Sequence, residues 1–287
     1  MVNDEILEAI FHGLKSRDPM QLTSACYMVV DNAGRMDPQH VSAVADALVS
    51  LFYLDPTDHP ELSPVIDAAV KALVALGPGA IDTLVADLSD ADLKANILIG
   101  RTLSRMGRPA VLALIDRFRH SLDPYQRTFA LFAMSKMDDP ALIEVFPEVV
   151  KALDDDHAEL RDTAARAIGK MIDCFGARCF SKEDASLAFK KLTEKLSDPH
   201  PGTRSKAVRS IGKLAKAGYL NVDEKESAVT AMSAILGING RHEWDRAFNV
   251  RREAEEAYSH LTGKSLKESQ SGQCGAPPPA GSEACDQ

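Results

Sequence analysis

Apolar residues recur every three or four positions through most of this chain, and short polar clusters break the pattern into segments. Near the start, Leu7, Ile10, Phe11 and Leu14 share one face behind a polar opening at Asn3 or Asp4. Residues at that spacing lie above one another on a helix. The same period gives Val41, Val44, Leu48, Leu51 and Phe52, then Ile81, Leu84, Val85 and Leu88, then Val111, Leu114, Ile115 and Phe118. It returns as Leu142, Phe146, Val149, Val150 and Leu153, and as Ala185, Ala188, Phe189, Leu192 and Leu196. Ser181 with Asp184 predicts a capping box before the last of these. Pro38, Pro78, Pro109 and Pro140 stand where helices are expected to begin, the position at which proline loses least.

Between these segments lies a second kind of helix, richer in small residues. LDDDHAELRDTAARAIGKM begins at Leu153 and LSDPHPGTRSKAVRSIGKL at Leu196. Both read as an acidic turn, then two small residues three apart, then a large aliphatic one. The first small position falls at Ala25, Ala69, Ala130, Ala164, Ala207 and Ala254, with Ile99 in its place in the third unit. The spacing runs from 30 to 47 residues, the window of solenoid repeats. Small residues let neighbouring helices approach, and stacked hairpins bury faces that one hairpin cannot. The expected fold is therefore an all-α, right-handed solenoid of about seven helical hairpins over residues 1–263. Residues 264–287, rich in Gly, Ser, Pro and Gln, are expected to be a disordered tail, with Pro277–Pro279 inclined to polyproline II.

These phrases, with the closing VRREAEEAYSHLTGK, resemble HEAT repeats, in particular the short variety of phycobilisome-lyase-like proteins. The resemblance implies a turn Asp and a helix-opening Arg that bridge adjacent units. The matching positions are Asp123 with Arg127, Asp156 with Arg161, and Asp198 with Arg204; Arg251 has no obvious Asp. Leu22, Ile66 and Asn96 occupy the Arg position in the first three units, so the ladder is expected to be absent there. The resemblance also implies a non-enzymatic scaffold or accessory subunit that binds a partner protein. The alternative it implies is a tetrapyrrole (bilin) lyase-like or other cofactor-handling role.

The net charge of −9 opposes nucleic acid and anionic membranes as default partners. No apolar run is read as a membrane span, and MVNDEILEAIFHGL lacks the basic opening of a secretory signal. Cys26, Cys174, Cys179, Cys274 and Cys285 are odd in number and include no CxxC pair, which fits free thiols in the cytoplasm better than a disulfide frame or zinc site. HEAT-like deoxyhypusine hydroxylases use paired His–Glu motifs for two irons; here the dipeptide occurs once, at His242–Glu243. HEAT-like DNA glycosylases need a basic, aromatic cleft, which this acidic chain with one Trp does not announce. His12, His40, His59, His120, His157 and His200 are dispersed, and GPGA at 77–80 reads as a helix stop and restart. No catalytic, cofactor or metal residue is assigned.

Two features suggest a protein contact. Lys206, Arg209, Lys213 and Lys216 form a basic stripe on one second helix, extendable to Arg166 and Lys170, and suited to an acidic partner segment. Trp244 lies in the insertion GINGRHEWDRAFN, where an exposed Trp would serve as an anchor. The oligomeric state is left open by the sequence.

Overall fold

The computed structural model describes residues 2–88, 92–176, 180–240 and 243–264. Among them are fifteen α-helices and no strand. They form seven hairpins: α1 (Asp4–Leu14) with α2 (Pro19–Asn32), α3 (Pro38–Val49) with α4 (Ser63–Leu76), α5 (Ile81–Asp87) with α6 (Leu93–Met106), and α7 (Arg108–His120) with α8 (Pro124–Met134). In the fifth, α9 (Ala141–Glu144) and α10 (Phe146–Lys151) together precede α11 (Ala158–Phe175). The last two are α12 (Lys182–Glu194) with α13 (Pro201–Lys216) and α14 (Val222–Leu236) with α15 (Phe248–Thr262). The chain is thus an all-α solenoid, as its repeat spacing predicts. Residues 265–287 of the tail, with Cys274 and Cys285, lie outside the described residues, as do Cys179 and His242.

The helix openings follow from local chemistry. Asn3 Oδ1 accepts from the Ile6 N–H and Ser181 Oγ from the Asp184 N–H, satisfying donors that a first turn leaves free. Asn221 and Glu224 add a reciprocal capping box at α14 that the apolar pattern did not disclose. At Gly77, φ is +67°, a left-handed value that closes α4 before a single 3-10 turn leads into α5.

Residues 60–87 are, against the sequence reading, long and apolar enough to cross a membrane by composition. They do not form one rod. α4 ends at Gly77, α5 follows, and Val65, Ala69, Val70, Leu73 and Leu84 are wholly buried among neighbouring hairpins. Their apolarity serves the core.

One continuous core runs from Ile10 to Ala257. The second helices stack as an unbroken row, α2–α4–α6–α8–α11–α13–α15, and pack more closely than the first helices do. Glycine and other small residues make this possible. Gly169 of α11 faces Ser210 of α13, and Gly212 of α13 faces Ala257 of α15. Ser210 Oγ then donates to the Ala165 carbonyl at 2.6 Å, a buried bond made directly onto the neighbouring helix backbone. A closely packed row is the short side of a stack, so the exposed stripes of the second helices form its inner face.

Candidate surface on the second-helix row

Three arginines tie successive turns together. The Arg127 Nη1 donates to Asp155 Oδ2 at 2.7 Å. Arg161 donates from Nε and Nη2 to the two oxygens of Asp198, at 2.7 and 3.2 Å. Arg204 does the same to Asp245, at 2.7 and 3.0 Å. Each of the latter two also donates from Nη1 to carbonyls of its own turn: Arg161 to Asp155 and Asp156, Arg204 to Asp198 and Pro199. The guanidinium fork suits this double duty.

The expected ladder is thereby corrected in register. Asp156 is exposed and supplies only its carbonyl; the carboxylate of the rung is Asp155. Asp123 is not an ion-pair partner of Arg127 among the described residues; it accepts from the Tyr125 N–H and caps α8. Arg161 and Arg204 reach the Asp of the following unit, not that of their own. Asp245, not singled out from sequence, completes the row, and Arg251 donates to its carbonyl at 2.6 Å. Leu22, Ile66 and Asn96 are buried, and no arginine occupies their positions in the first three units.

Burial alone would raise the Asp198 pKa, but the Arg161 hydrogen bonds and the His200 N–H outweigh it and the net shift is downward. Asp245 behaves alike, with Arg204 and the Ala247 N–H offsetting its burial.

The basic stripe lies on the inner face, but most of its charge is already matched. Lys206 Nζ stands 3.3 Å from Asp162 of α11, and Lys213 Nζ 2.6 Å from Asp173. Arg209 donates from Nε and Nη2 to the two oxygens of Glu253 on α15, at 2.7 and 2.6 Å. The Glu253 side chain is only 4% exposed, and Arg209 is the first cause of its lowered pKa. Lys216 alone of the four has no ion pair among the described residues. Arg209, Lys213 and Lys216 line a cleft of about 210 Å³ with Glu256 and His260. The stripe expected to meet an acidic partner segment is, for three of its four members, a clamp between helices.

Two units earlier, where α8 meets α11, the balance is different. Phe132 of α8 is half-buried, with Lys136 Nζ 5.1 Å and Arg166 Cζ 5.2 Å from its ring centre. Desolvation, then the charges of Arg166 and Lys170, lowers the Lys136 pKa. Leu93 and Ile97 of α6 stand beside this cluster, 69% and 51% exposed. Two clefts meet here, of about 530 and 420 Å³, sharing Leu93 and Phe132 and together reaching from α6 to α13.

Residues 145–175 match the HEAT repeat family profile, which places α10 and α11 as one repeat. Two solved structures share the fold at low identity. Kap121p bound to Nup53p superposes with a TM-score of 0.54 at 12% identity, over 90% of this chain and 29% of that one. A multiply substituted Kap121p gives 0.51 at 13% identity, over 91% and 38%. A designed armadillo repeat protein is also similar, at 17% identity over 89% and 99%, with a TM-score of 0.40. The chain thus carries a HEAT-type repeat at residues 145–175 and shares the helical-repeat solenoid fold of the two Kap121p structures. No curated protein matches it in sequence. This repeat protein spans about a third of the two Kap121p chains, and the comparisons do not distinguish the short lyase-like variety within its class.

Trp244 of the repeat protein is 57% exposed, as an anchor requires, but leans over Gly237 at the end of α14. It does not line the cleft that holds Arg209, Lys213 and Lys216. The residues that sequence reasoning missed are Phe132 and Lys136. Their four-residue spacing at the end of a helix was visible, but Arg166, which meets the same ring, lies in the next hairpin. Among the described residues no group of three or more His, Cys, Asp or Glu is placed to hold a metal ion.

Proposed function

We propose that this chain is a non-enzymatic protein-interaction scaffold or accessory subunit of the cytoplasm, and that it holds a partner polypeptide on the inner face of its second-helix row. One observation carries the reading: Leu93 and Ile97 stay exposed beside the half-buried Phe132, in a groove crossing four helices. Clustered apolar exposure of that kind is the mark of an interaction surface. The fold likeness to Kap121p, seen there with Nup53p bound, supports a protein partner in general terms. Within this reading the α13 stripe contributes Lys216 and the exposed flank of Arg209, and Trp244 is a second anchor beyond it.

The test begins with affinity purification of the tagged full chain from its native organism, followed by reconstitution with each purified candidate. Ile97→Asp, on the inner face, is expected to weaken a true partner by about tenfold or more, equivalent to about 1.4 kcal/mol. Leu187→Asp, on the exposed side of the first helix α12, is expected to leave it unchanged. Equal effects from the two would sink the inner-face reading. Titration with a free bilin addresses the alternative, since a saturable change in its absorption band would favour cofactor handling.

A further inference from the structure

We infer that the groove around Phe132 is a docking site for an extended, carboxylate-rich polypeptide segment that carries at least one large apolar side chain. This inference rests on the scaffold reading and specifies the chemistry of its partner.

The decisive contrast is between cations on the same face. Arg101 pairs with Asp67, Lys206 with Asp162, Arg209 with Glu253 and Lys213 with Asp173. Lys136, Arg166 and Lys170 have no ion pair among the described residues, although they are close enough for Arg166 and Lys170 to lower the pKa of Lys136. Three like charges gathered without a counterion repel one another, and a bound anion relieves that repulsion. At those four positions the fold supplies the carboxylate itself; where three unpaired cations gather beside one aromatic ring, the position is left for another molecule.

The apolar part comes from α6 and α8. Leu93, Ile97, Phe129 and Phe132 border the two joined clefts, so an apolar side chain can enter beside the cations. The Lys136 ammonium and the Arg166 guanidinium both stand over the Phe132 ring, so cationic and apolar contacts lie side by side in the groove. The groove crosses from α6 to α13, three interhelical steps of about 8–10 Å each. A strand rising about 3.3 Å per residue covers that distance in about eight residues. At the α13 end stand Glu159 and Asp162, the latter already paired with Lys206. Carboxylates of the bound segment are therefore confined to the portion beside Lys136 and Arg166, and the end that runs past Glu159 and Asp162 toward α13 is neutral or basic.

The experiment uses the full chain and fluorescein-labelled ten-residue peptides in anisotropy titrations. One peptide has four central Glu residues flanking a Leu; a second replaces each Glu by Gln; a third replaces the Leu by Gly. The first is expected to bind with an affinity that falls as salt rises, and each of the others at least about tenfold more weakly. Arg166→Glu with Lys170→Glu is expected to abolish binding of the first peptide. Lys190→Glu with Lys182→Glu, which makes the same charge change on the exposed side of α12, is expected to alter it less than about twofold. Circular dichroism melts of the variants confirm that each remains folded. No binding of the first peptide at ~1 mM, equal binding of the Gln peptide, or an equal loss in the α12 variant would each overturn the inference. A reconstituted native partner that still binds the Arg166→Glu, Lys170→Glu protein while failing with Ile97→Asp would also overturn it, and would leave the scaffold reading standing. Absence of any polypeptide partner would remove that broader reading instead.

Discussion

Arg161 and Asp198 are 37 residues apart in sequence, yet the guanidinium of one closes on both oxygens of the other while holding two carbonyls of its own turn. The Asp198 side chain is 4% exposed and that of Arg161 13%. Arg161→Ala would leave a buried carboxylate without its cation. Such a loss costs about 3 kcal/mol, whereas Asp156→Ala, one residue from the true rung at Asp155, should change stability by less than about 0.5 kcal/mol. Urea unfolding of the two variants checks the register directly.

The pH dependence follows from the same rungs. The pKa values of Asp198 and Asp245 are lower when folded than in an open chain. Each therefore contributes stability that is fully present above the unfolded value of about 3.9. It is lost as pH falls through the folded value. The stability gap between the parent chain and Asp198→Asn is expected to be widest near neutrality and to narrow below about pH 4. A gap constant from pH 7 to pH 3 would show that the carboxylate charge contributes nothing.

Arg209 and Lys216 stand on one stripe, but their truncation is expected to have unequal effects. Arg209→Ala leaves the buried Glu253 with Arg252, 3.1 Å away, as its remaining cation, and should destabilise by about 2 kcal/mol. Lys216→Ala removes an exposed charge that has no ion pair among the described residues and should change stability by less than about 0.5 kcal/mol. Thermal melts at one salt concentration distinguish a clamp from a solvated face.

Gly169 is expected to resist enlargement. A side chain there meets Ser210 Oγ, which is engaged with the Ala165 carbonyl. Valine would push α13 away and break that bond, a loss of about 2 kcal/mol. The better helix propensity of valine offsets only a few tenths. If Gly169→Val matches the parent in unfolding midpoint, the two helices are not in close contact at this point.

The seven hairpins were legible because small residues recur in register, and stacking buries Ala25, Ala69, Ala130, Ala164, Ala207 and Ala254 alike. The ladder was legible in kind but slipped by one residue at LDDDH, where three consecutive aspartates offer equivalent chemistry. A six-residue interval marks the right one, since Asp155 precedes Arg161, Asp198 precedes Arg204 and Asp245 precedes Arg251 by that distance. The carboxylates that match Lys206 and Arg209 lie 44 residues away on other helices. A linear pattern shows which residues share a helix face; it does not show which faces meet. For the same reason Arg166 and Lys170 read as an extension of the α13 stripe, when their neighbours in space are Phe132 and Lys136 of the preceding hairpin.

The rungs begin at Arg127, and the three hairpins before it carry Leu22, Ile66 and Asn96 in that place. Where a rung exists, rotating one hairpin against the next stretches short, directional bonds on both sides of a single guanidinium. Where none exists, neighbours are held by apolar packing and by exposed pairs such as Lys94 with Asp55, which yield gradually to a small turn. The molecule is in this sense a spring of two grades, compliant toward its N-terminus and stiff from α8 onward. A load placed between its ends would be taken up first by α1–α6, leaving the spacing between α8, α11 and α13 almost unaltered.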